Sequence, residues 1–145
     1  EAADARGRGP MIVGVGTDLV RIDRLAAALA RHGPRFAARI LAAPEREEFS
    51  RAAMPERLLA KRFAAKEAFA KAWGTGLGAA LGWQDLWVAH DARGRPFFAF
   101  AEALAARLAA AGLRAHLSLA DEREHAVAFV VLERAEGESP LFPPA

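Results

Sequence analysis

The chain has 145 residues, 53% of them hydrophobic and 26% charged, which points to one domain with a core and excludes a disordered chain. No apolar run approaches the roughly 18 residues of a membrane span, and the lack of cysteine excludes a disulfide framework, a thiolate metal site and a thiol nucleophile. The 20 basic residues against 18 acidic ones leave a charge of only +2, too small for a nucleic-acid coat; all but Lys61, Lys66 and Lys71 of them are arginine, which forks onto carboxylate or phosphate.

Residues 1–10 contain no core-forming side chain and are expected to be a disordered extension, so that Met11 opens the fold and the domain runs over 11–134. They also lack the apolar stretch of a signal peptide, and the cytoplasm is the expected compartment. Residues 11–17 (MIVGVGT) form a short apolar run and are predicted as a buried strand. Leu25 and Leu29 stand one helical turn apart and predict a helix over 22–32, stopped by Gly33-Pro34, with a further helical turn over 36–41. Pro44 opens another helix, since proline is tolerated in a first turn. Pro55 opens the longest one, over 56–73, which Gly74-Thr75-Gly76 ends. Residues 86–91 and 97–100 flank Ala92-Arg93-Gly94-Arg95-Pro96 and read as a hairpin. An alanine-rich helix over 102–111 follows, then strands over 113–120 and 126–133. The segment 135–145 is proline-rich and expected to be a loose tail. The fold class is α+β, mainly antiparallel, with about five strands in one sheet and helices on one face.

Three segments could carry chemistry. On the longest helix, Ala60, Phe63, Ala64, Glu67 and Lys71 share a face at the 3.6-residue period. Glu67 and Lys71 could be a surface ion pair, but a carboxylate among Phe63 and Ala64 usually needs a cation or a metal. The glycines at 74, 76 and 78 permit positive φ and close approach of backbone to a ligand, or serve as a cap and loop. In GVGTDLV, Asp18 ends the first strand, either as a helix cap or as a metal carboxylate. Asp18 and Glu67 come from different elements and suit Mg²⁺, which binds one or two protein carboxylates and completes its octahedron with water and substrate phosphates. Arg21, Arg24, Arg31 and Arg35 follow the first helix and its exit, as a solvated face or as a docking surface for an acidic partner.

GVGTDLV, RFAAKEAFAKAWGTG and HLSLADEREHAVAFVVLE, in this order, resemble the holo-[acyl-carrier-protein] synthases, the small stand-alone 4'-phosphopantetheinyl transferases. The resemblance runs from Met11 to about Arg134, the span expected of a domain. It implies a 4'-phosphopantetheinyl transferase fold, with a long helix packed on the sheet. It implies Mg²⁺-dependent transfer of 4'-phosphopantetheine from coenzyme A to a serine of apo-acyl carrier protein, giving adenosine 3',5'-bisphosphate. Asp18 and Glu67 would hold the metal, Glu67 would serve as base directly or through a metal-bound water, and Lys71 would stabilise phosphate charge. Arg62, Lys71, Gly74, Thr75, Gly76 and Pro96 would contact the coenzyme. Arg21, Arg24 and Arg31 would face the carrier protein, and a homotrimer with active sites between protomers is expected. The chain departs from the family at Arg21, where many relatives are acidic, and at Ala120-Asp121, where many read Ser-His. The competing readings are a non-catalytic basic module binding nucleic acid, and the same domain cut from a larger synthase.

Overall fold

The computed structural model describes residues 11–134; the expected N-terminal extension and C-terminal tail lie outside the described residues. Strand β1 (Met11–Arg21) leads into helices α1 (Ile22–His32), α2 (Pro34–Ile40), α3 (Ala43–Arg51) and α4 (Pro55–Trp73). The hairpin β2 (Leu86–His90) and β3 (Pro96–Phe100), helix α5 (Glu102–Ala110), and strands β4 (Leu113–Asp121) and β5 (His125–Arg134) complete the chain.

Two antiparallel sheets form, where the sequence predicts one: a three-stranded sheet in the order β1-β5-β4, and the β2–β3 hairpin by itself. Between the hairpin and β4 lies a cleft of about 700 Å³, lined among others by Phe97, Leu108, Leu113 and Leu117. Pro96 brings no N–H to the start of β3.

In β5 the burial alternates strictly: Ala126, Ala128, Val130 and Leu132 are buried, as a strand with one covered face requires. That face meets α4, whose alanines Ala64, Ala65, Ala68 and Ala72 join the same core. The helix approaches β1 closely. A Cβ on Gly14 would lie 2.1 Å from the carbonyl oxygen of Ala72, and one on Gly16 would lie 1.9 Å from that of Ala68. Phe69 is fully buried and packs its ring against Trp73, Phe98 and Phe100, which ties the hairpin to α4. No described helix is long and apolar enough to cross a membrane.

Candidate active site

Strand β1 runs three residues further than the 18th position, so Asp18 lies inside the strand instead of ending it, and it caps no helix. Arg21, the residue before α1, makes no side-chain cap either. Side chains alternate along a strand, so Asp18 shares the α4-facing side of β1 with Gly14, Gly16 and Val20. The two glycines are what let this carboxylate reach the helix. Glu67 and Lys71 stand one turn apart on α4. Lys71 reaches across to β1: its Nζ donates to the Thr17 carbonyl at 2.9 Å and to Asp18 Oδ1 at 3.2 Å. The side chain of Lys71 is 53% exposed and that of Asp18 only 16%.

Two features set this cluster apart. Asp18 Oδ2 is buried and has no hydrogen-bond partner, and a buried carboxylate oxygen without a partner is costly. Burial raises the pKa of Glu67, and the neighbouring Asp18 charge raises it further, against the opposing charges of Lys71 and Arg24. Two carboxylates with unmet demand for positive charge fit a divalent cation. Among the described residues no three His, Cys, Asp or Glu side chains gather as a metal group.

Helix α4 ends as the glycines predict. Gly74 adopts the left-handed conformation at φ 93°, donates its N–H to Ala70, and is followed by exposed Thr75 and by Gly76 at φ 67°. That loop begins three residues beyond Lys71.

Other expected site residues lie apart. Arg62 is buried, and its guanidinium donates to both oxygens of Glu48, at 3.1 and 3.2 Å, on a different side of α4 from Glu67. Pro96 opens β3 and lines the cleft between the hairpin and β4. Arg21, Arg24 and Arg31 are exposed; Arg21 pairs with Asp23 at 2.7 Å, and only Arg24 comes near enough to act on Glu67. Asp121 accepts from Arg57 at 2.9 Å and lies 3.8 Å from Lys61, so it ties the β4–β5 turn to the first turns of α4.

The sequence reasoning missed a fully buried ion pair. Lys66 Nζ donates to Glu45 Oε1 at 2.6 Å, to the Ile40 carbonyl at 2.6 Å and to the Trp83 carbonyl at 2.7 Å. Glu45 also accepts the backbone N–H groups of Ala42 and Val88, each at 3.0 Å. The available signal was Lys66 itself, a cation between Ala65 and Glu67 in a helix whose other neighbours are alanine and phenylalanine.

Residues 14–130 match the 4'-phosphopantetheinyl transferase superfamily. A holo-[acyl-carrier-protein] synthase of Aromatoleum aromaticum is 54% identical over 124 residues, 86% of this chain and 99% of the relative. The crystal structure of the holo-[acyl-carrier-protein] synthase from Neisseria meningitidis superposes with a TM-score of 0.80 at 46% identity, covering 84% of this chain and 98% of that one. The Bacillus anthracis holo-(acyl-carrier-protein) synthase in complex with coenzyme A (3',5'-ADP) gives 0.73 at 35% identity, covering 86% and 99%. The chain belongs to this superfamily and, within it, to the holo-[acyl-carrier-protein] synthases, which are transferases. The fold class is the one the sequence predicts, and the reading as a non-catalytic nucleic-acid module gives way to an enzyme.

Proposed function

We propose that this chain transfers 4'-phosphopantetheine from coenzyme A to a serine hydroxyl of an apo-acyl carrier protein, with Mg²⁺ held by Asp18 and Glu67. The observation that carries the reading is the meeting of Asp18, Glu67 and Lys71, with Asp18 Oδ2 buried and unpartnered.

Bound there, Mg²⁺ would supply a Lewis acid for the pyrophosphate of the coenzyme. The protein's own groups then divide the work. Glu67, half-buried beside Asp18, accepts the proton of the serine hydroxyl. The serine oxygen forms its bond to the pantetheine-side phosphorus as the bond from that phosphorus to the bridging oxygen breaks. Adenosine 3',5'-bisphosphate departs with that oxygen. Lys71 spends two of its three N–H donors on β1, and its exposed ammonium offsets charge on the leaving phosphate. The amides of Gly74, Thr75 and Gly76 extend the phosphate contacts, where glycine lets the backbone approach.

Arg62 and Pro96 remain our candidates for coenzyme contacts, and their separation from Asp18 supports a site completed by a neighbouring protomer. The sheet supports the homotrimer as well. Its face away from α4 is apolar and open: Val15 is 54% exposed, Leu19 67% and Phe129 45%. Such a face on a monomer marks an interaction surface. Arg24 and Arg31, seven residues apart on α1, with Arg21 beside them, present positive charge to an acidic carrier protein.

Intact-mass measurement of an apo-carrier protein incubated with this chain, coenzyme A and Mg²⁺ tests the proposal. A gain of one phosphopantetheine group that EDTA abolishes is expected. No gain with fatty-acid or polyketide carrier proteins would overturn it.

A further inference from the structure

Lys66 and Glu67 are adjacent in α4, so their side chains leave the helix about 100° apart. Glu67 turns to β1, and Lys66 turns to α3 and the β2 side of the molecule. All three N–H donors of Lys66 are committed to acceptors from different segments: the end of α2, the side chain of Glu45 in α3, and the loop before β2. Glu45 is in turn fixed by backbone N–H groups at the start of α3 and in β2. Both side chains are fully buried.

We infer that the Glu45–Lys66 pair is a positioning device: it sets the rotation of α4 about its own axis, and thereby the place of Glu67 opposite Asp18. The inference rests on the reading of Asp18 and Glu67 as the reactive centre. Gly14 and Gly16 set how near β1 comes to the helix, and Phe69 packs the helix on the hairpin, but apolar contacts are non-directional and fix rotation less sharply than hydrogen bonds. A helix with side chains has a radius of about 5–6 Å, so a roll of about 10° carries the Glu67 carboxylate about 1 Å. Reactive groups must be held within about 0.5 Å, and a displacement of about 1 Å costs about a hundredfold in rate. An apolar pair at 45 and 66 would match the ionic pair in stability but would tolerate the roll. Three directional bonds from one ammonium do not tolerate it.

The test uses the absence of cysteine from the chain. In Lys66→Cys the new thiol is the single site for aminoethylation under denaturing conditions, which rebuilds an ammonium on a side chain of lysine length. Mn²⁺ binding to the intact, refolded chain is read by electron paramagnetic resonance, and kcat by carrier labelling, well below the unfolding midpoint. The expected result for Lys66→Cys is a loss of about tenfold or more in Mn²⁺ affinity and in kcat, the scale seen when a group orienting a metal ligand is removed. Aminoethylation should restore both. A folded Lys66→Cys that binds Mn²⁺ as the parent does overturns the inference, because a merely structural role lowers the melting temperature and leaves the affinity of folded protein alone. Should Lys66→Cys fail to fold, Glu45→Asp carries the same criterion, since it keeps the charge and draws the pair in by one methylene. A parent chain that binds Mn²⁺ yet labels no carrier protein would overturn the transferase reading and leave the positioning result standing; one that binds no Mn²⁺ overturns both.

Discussion

Glu45 is fully buried and Glu67 half-buried, and their surroundings answer their charges differently. Glu45 meets a lysine, an arginine 3.8 Å away and two backbone donors, so its charge is fully answered. Removing one partner of such a pair leaves a buried charge alone and costs about 3–5 kcal/mol. Glu45→Ala is therefore expected to lose about that much in urea denaturation, whereas Glu47→Ala, at a 73% exposed side chain, should cost almost nothing. Glu67 has no comparable set of donors. Its pKa is raised from the ordinary 4.5, first by burial and then by Asp18. The folded metal-free chain therefore binds this proton more tightly than the unfolded chain does, and stability falls as pH rises from about 4.5 through the raised value. Glu67→Gln should raise the melting temperature of metal-free protein at neutral pH, and the gain should fade as pH drops toward 4.5. A gain of the same size at both ends of that range would contradict the assignment. Saturating Mg²⁺ should narrow the gap at neutral pH, since a cation at the centre relieves the same repulsion.

At the scale of elements, the helix–strand contact governs the site. Gly16→Ala places a Cβ 1.9 Å from the Ala68 carbonyl, and no rotamer change relieves a clash between backbone atoms. The strand must move out, at about 1–3 kcal/mol for an overpacked contact, carrying Asp18 away from Glu67. Circular dichroism melts and Mn²⁺ binding on the same variant should therefore fall together. Much of this architecture is legible in the sequence. The alternation in 126–133, the helix over 22–32, the proline-opened long helix and its glycine stop all stand where local pattern puts them. For Asp18, Glu67 and Lys71 the residue pattern alone leaves an ion pair and a helix cap open, and the resemblance singles them out; the structure brings Lys71 onto Asp18 and shows no cap. What the pattern does not carry is long-range. The apolar run 11–17 reads as a strand, but the reason for glycine at 14 and 16 appears only with the α4 carbonyls beside them. Nothing local to Lys66 shows its partner, Glu45, which lies 21 residues away. The separation of the hairpin from the main sheet is a long-range feature that no local run of residues encodes.

For the whole molecule, one face of the three-stranded sheet is covered by α4 and the other is open. Val15, Leu19 and Phe129 on that face form an exposed apolar patch among the described residues, the kind of surface that marks an interaction site. In the proposed trimer these side chains lie between protomers. Phe129→Asp and Leu19→Asp should then yield a monomer by light scattering coupled to size exclusion, with carrier labelling lost although neither residue belongs to the Asp18 cluster. A variant that stays trimeric and active would place the interface elsewhere. Arg24 on α1 acts on Glu67, and in the proposed function Arg24 and Arg31 face the carrier protein. Arg31→Glu should weaken carrier binding, most at low salt, and leave kcat at saturating carrier nearly unchanged.

The most direct test of the central claim compares the parent chain with Asp18→Ala and Glu67→Ala for labelling of apo-carrier protein by coenzyme A and Mg²⁺, read by intact mass, with folding checked by circular dichroism. The account predicts one added phosphopantetheine group with the parent and none, or only a trace, with either folded variant. Full labelling by both variants would contradict the assignment of the reaction to the meeting of β1 and α4.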